Sequence, residues 1–151
     1  MSSLRLTSLP RAALLAALAA PTALAGPAPT LLRLEPEPFE RPSAIVRSTE
    51  RCVALLKTRD LAAAADACDS AVTLAEHERA SAWGAPFVAT AYDEALAVAY
   101  NNRAVLNLLS GRLTLASADA TRARHAAPLP GIAATAAVIG RERARAAAGS
   151  P

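Results

Sequence analysis

The stretch Tyr100–Pro128, YNNRAVLNLLSGRLTLASADATRARHAAP, decides the fold. Tyr100, Ala104, Val105 and Leu108 fall on neighbouring turns of one helix, and Leu113, Ala116, Ala120 and Ala123 repeat the same three-and-four spacing on a second. Ser110-Gly111-Arg112 forms a tight turn between them, and Pro128 stops the second helix because it cannot supply the next backbone donor. The stretch therefore reads as an antiparallel helical hairpin with close-packed seams.

The chain upstream has the same layout. A helix from Ser43 to about Thr58 carries Ile45, Thr49, Cys52, Val53 and Leu56 on one face. Asp60 then stands where an N-cap is wanted, opening a helix through Leu61, Ala64, Ala65, Cys68, Ala71, Val72 and Ala75. Cys52 matches Ala104, Arg59 matches Gly111, and Leu61, Ala64, Cys68 and Ala71 match Leu113, Ala116, Ala120 and Ala123 at a constant offset of 52 residues. The segment Glu76–Leu96 supplies the excess over the period of about 34 residues of a tandem tetratricopeptide array.

Within that insertion Gly84 breaks the second helix near Ala82 and Pro86 opens a third, which runs to Leu109. Trp83, the single tryptophan, suits a clamp packing the break onto the bundle better than a ligand-stacking platform. After Pro128-Leu129-Pro130-Gly131 a last helix spans Ile132 to about Ala147, with a polar outer face of Arg141, Glu142, Arg143 and Arg145; residues 148–151 form a frayed tail. Aromatic residues make up 3% of the chain, so the core is Ala, Leu and Val. Small side chains favour close helix packing, and the expected fold is all-α with five helices: two antiparallel hairpins and a C-terminal capping helix over 43–147.

The second hairpin resembles a tetratricopeptide repeat. An aromatic early in the first helix is matched by Tyr100, a small midpoint residue by Ala104, the turn glycine by Gly111, small residues on the second helix by Ala116 and Ala123, and a closing proline by Pro128. The chain departs from the pattern at Arg103, where leucine is usual, and at Asn107 and Ala120, where aromatics are usual. The Asn-Asn-Arg-Ala run also resembles small exported bacterial proteins of this repeat type. The resemblance implies two degenerate repeats whose first helices line a concave side. A bound segment would then face Thr49, Val53, Leu56 and Lys57 from one hairpin and Asn101, Val105, Asn107 and Leu108 from the next. Asn101 and Asn102 are the polar pair of interest: an asparagine amide can both donate to and accept from a peptide backbone, or equally bond a neighbouring carbonyl or water.

The beginning of the chain reads differently. Arg5 and Arg11 precede the apolar run Ala12–Ala20, which is too short to span a bilayer, and Ala23-Leu24-Ala25 is an A-x-A cleavage site. Residues 1–25 are thus expected to be a secretory signal peptide, and the mature protein periplasmic or secreted. From 26 to 42 the chain carries Pro27, Pro29, Pro36, Pro38 and Pro42, which prevents helix and predicts an extended arm. Leu31, Leu32, Leu34 and Phe39 would let that arm lie on the helices, and composition leaves open whether it does.

Charge and motif content narrow the chemistry. Loss of Arg5 and Arg11 takes the formal charge from +3 to +1, which with so few aromatics argues against nucleic acid as a partner. Asp60–Glu94 holds seven acidic residues against Arg79, and Ala95–Pro151 seven arginines against Asp119 and Glu142, a segregation suited to solvated faces or to pairing with a second copy. Cys52 and Cys68 lie at similar heights on facing stripes of the first hairpin, so the oxidising compartment is expected to join them in a disulfide rather than leave a redox dithiol or a metal site. His77 and His125 follow separate helices without ligand spacing, and neither a nucleophile elbow nor a phosphate loop occurs. No cofactor or metal is called for. The expectation is a non-enzymatic interaction module that binds a peptide or partner protein. The competing class is a structural or self-associating envelope protein, for instance a homodimer. A catalytic helical domain would need His77, His125 and a carboxylate in one pocket.

Overall fold

The computed structural model describes residues 28–34, 43–82 and 86–149, with the side chains of 86–89 excepted. Residues 1–25, expected to be a signal peptide, and Phe39 and Trp83 lie outside the described residues. These contain five helices and no strand: α1 (Ala44–Lys57), α2 (Leu61–Ser81), α3 (Pro86–Leu109), α4 (Leu113–Ala126) and α5 (Pro130–Ala148). The protein is all-α.

Local chemistry sets most of the boundaries. Ser43 caps α1, its side chain accepting from the Val46 N–H at 3.3 Å, and Asp60 caps α2 by accepting from Ala63 at 3.1 Å. Proline opens α3 and α5, where the missing N–H would have no intrahelical partner. That is why α5 begins at Pro130 rather than at Ile132.

The two hairpin turns share one geometry. Gly111 has φ 71° and Arg59 φ 62°, both left-handed. In the second turn Gly111 N–H bonds Leu108 C=O at 3.0 Å and Arg112 N–H bonds Asn107 C=O at 2.8 Å. In the first turn Arg59 bonds Leu56 at 3.3 Å and Asp60 bonds Leu55 at 3.1 Å. Each pair satisfies carbonyls the helix end would otherwise leave open, the Schellman arrangement.

Helix α3 is central, packing against α2 and α4 along its length and touching α1 and α5. The seams are alanine: Ala64, Ala75, Ala97, Ala104, Ala116 and Ala123 are fully buried. Without bulky side chains between them the helix backbones approach closely. Ile45, Val72, Tyr100 and Ile132 fill the space at one end of the bundle. Cys52 and Cys68 are disulfide-bonded, with Cα atoms 4.9 Å apart, and tie α1 to α2 within a cluster that includes Leu56 and Leu106. Among the described residues no helix is long and apolar enough to cross a membrane.

Candidate functional site

Residues 28–34 of the arm lie on the helices. Leu32 N–H donates to Asn102 Oδ1 at 2.9 Å, and Asn102 Nδ2 donates back to Leu32 C=O at 2.8 Å. Two residues earlier, Asn101 Nδ2 donates to Thr30 C=O at 2.7 Å, and Thr30 N–H donates to Thr135 Oγ1 on α5 at 3.1 Å. Alternate residues thus turn both backbone groups towards the helices, the period-two habit of an extended segment. Leu31 packs on the cluster containing Cys52, Leu56, Cys68 and Leu106, and Leu32 and Leu34 pack on the one containing Ile45, Tyr100 and Ile132.

Gly131, in the first turn of α5, makes the seat deep enough. A Cβ there would stand 2.6 Å from Leu32 Cδ2 and 2.9 Å from Thr30 Cγ2. No other residue lets the arm come so near. One polar atom of the seat is unanswered, for Asn101 Oδ1 is buried with no hydrogen-bond partner among the described residues.

The residues expected along a ligand face are distributed as follows. Thr49, Val53 and Leu56 on α1 and Asn101 and Val105 on α3 are buried, with Asn101 bonded to the arm and Leu56 in the cluster that receives Leu31. Leu108 is half-buried and, with Pro29, Leu109, Leu113 and Val138, lines an apolar cleft of about 670 Å³ continuous with the arm's first residues. Lys57 is exposed at the end of α1. Asn107 is turned the other way, donating Nδ2 to Asp119 on α4 at 3.0 Å. Positions 101, 105 and 108 of a helix share a side and 107 does not, which separates the two asparagines. Asn102, the second of the polar pair the sequence singles out, belongs to the seat though not to the expected ligand face, and so do Thr135 and Gly131, which lie on α5, outside the two hairpins.

A polar network occupies the side of α3 that faces α2 and α4. Arg103 clamps Asp119 through Nε at 2.9 Å and Nη2 at 3.0 Å, and reaches Asp69 through Nη1 at 3.0 Å. Arg122 adds a bond to Asp119 at 3.1 Å. The guanidinium carbons of Arg103 and Arg122 sit 5.4 and 5.7 Å from the Tyr100 ring centroid, within cation–π range. Tyr100 donates its hydroxyl proton to Glu76. Burial first, then the hydrogen bond and charge of Glu76, push the Tyr100 phenol up to about 12. Arg103 is pushed down by burial, but its bonds to Asp119 and Asp69 outweigh this and leave it above its ordinary value. The departures Arg103 and Asn107 from the repeat pattern are therefore one feature: where large apolar side chains would interlock, a carboxylate is enclosed by donors. The network borders a smaller cavity of about 280 Å³, rimmed by Arg112 and Leu115.

What the arm seat can do chemically is hold a main chain. It offers donor and acceptor to backbone groups and a shallow apolar bed to alternating side chains, a combination suited to an extended segment. No protein-family model matches the chain, and neither the curated proteins nor the solved structures include a match to it.

Proposed function

We propose that the protein is an exported, tetratricopeptide-like interaction module that captures an extended segment of a partner protein on the side of the bundle where Asn101 and Asn102 lie. The reading rests above all on the reciprocal pair between Asn102 and Leu32. An amide that grips both polar groups of one residue favours extended backbone and is indifferent to the side chain. The shared turn geometry at Arg59 and Gly111 supports treating the hairpins as two copies of one unit, and the buried disulfide suits an oxidising compartment. No catalytic step is assigned.

The test is a photocrosslinking residue at Leu108, which lines the open cleft, introduced into the protein in its native compartment. A discrete adduct with a partner protein is expected, and it should weaken when Asn102 is replaced by alanine. Labelling that ignores Asn102, or none at all, counts against the reading.

A further inference from the structure

The occupant of the seat is the chain itself, and that contact says what the seat accepts. Among the described residues, the hydrogen bonds between helices and arm go to the arm's backbone, at Thr30 and Leu32. The side-chain requirements are few: Gly131 leaves room at Thr30 and Leu32 for a short residue and a leucine, and Leu31 fits the cluster beside the disulfide. The arm is nevertheless an imperfect tenant. Asn101 Oδ1, fully enclosed on a side chain whose amide nitrogen already holds Thr30, has no donor among the described residues. Leu32 supplies Asn102 with an N–H, but the Thr30 N–H is taken by Thr135 and Pro29 has none to give. A segment that answers that acceptor makes a bond the arm does not.

We infer that residues 28–34 are a built-in competitor for the ligand seat, and that the ligand is an extended segment of a partner protein bearing a short residue followed by two leucines, bound by displacing the arm. The inference rests on the interaction-module reading and adds its regulation. A second copy's arm is the weaker candidate, because an identical arm tethered to its own seat competes at an effective concentration in the millimolar range. A partner wins only by binding better, which the unanswered Asn101 acceptor permits. Occupancy by the arm lowers apparent affinity in proportion to the fraction of open seats, so the arm sets a threshold that weak ligands fail to cross.

The test uses the full mature chain and a fluorescent synthetic peptide of residues 28–34, APTLLRL, followed by polarisation. The parent chain should bind it weakly, and a chain with Leu32→Ala in its arm at least tenfold more tightly. Adding Asn102→Ala to that chain should remove the gain. Equal affinity for parent and Leu32→Ala chains, when binding still depends on Asn102, overturns the competing arm but leaves the seat. Absence of binding to a Leu32→Ala chain that melts like the parent overturns both. Hydrogen exchange in the unaltered protein guards against a variant that fails to fold. The Leu32 amide should exchange at least a hundredfold faster than that of Val105, because the arm opens without the bundle; equal rates refute displacement. A dimer in native mass spectrometry that disappears with Asn102→Ala would make a second copy's arm the occupant and overturn the proposed partner.

Discussion

Arg59 and Gly111 hold the same place in two different turns and share a left-handed backbone, at φ 62° and 71°. Only glycine adopts that region without steric cost, and for an arginine the penalty is about 1 kcal/mol. Arg59→Gly should therefore stabilise the protein by about 0.5–1 kcal/mol. Gly111→Ala should destabilise it by about 1 kcal/mol through the backbone alone, since an added Cβ would meet nothing within 4 Å. Urea denaturation of both variants checks the pair of opposite signs.

Asp119 is enclosed by Arg103, Arg122 and Asn107. Removing the acid leaves Arg103, itself half-buried, without its main partner. Asp119→Ala is expected to cost about 3–5 kcal/mol, because an unpaired charge in a bundle seam is far worse than no charge. Asp119→Asn, which keeps one acceptor oxygen, should cost distinctly less. A double-mutant cycle with Arg103→Leu should show strong coupling; additive effects would mean that the pair is energetically idle.

Tyr100 gives the stability a signature in alkali. Its phenol ionises near 10 when unfolded and is held up to about 12 in the fold. The protonated form is thus the one the fold favours. Its contribution is complete below pH 10 and falls as pH rises from 10 to 12. The difference in unfolding free energy between the parent and Tyr100→Phe should shrink across that window, and a pH-independent difference would contradict the assignment.

The Cys52–Cys68 bond closes a loop with a sequence separation of 16 residues. Its removal should cost about 3 kcal/mol. Both cysteines are buried, so a thiol alkylator should label neither in the native protein before reduction. The Cys52→Ala, Cys68→Ala chain should retain its helices but melt at a lower temperature, as circular dichroism would report.

Helix placement was legible in the residues because it rests on local causes. Pro86 opens α3, Asp60 caps α2 and Gly111 turns between α3 and α4, each acting on backbone groups within a few positions. The cysteine pair was legible for a similar reason. Two residues at comparable distances from one tight turn must meet if the helices are antiparallel.

The amino-acid sequence alone therefore determined the all-α class, the five helices, the hairpin turns and the disulfide, all consequences of short-range periodicity and capping. Tertiary structure alone decided where the arm rests, why Asn101 and Asn107 point to different neighbours, and how Arg103 and Asp119 come together. Those outcomes depend on the rotation of α3 against α4 and α5 and on contacts between residues 70 to 105 positions apart, such as Leu32 with Asn102 and Thr30 with Thr135. A helical repeat specifies which residues share a face, but what that face meets is settled only when the remote chain folds back onto it.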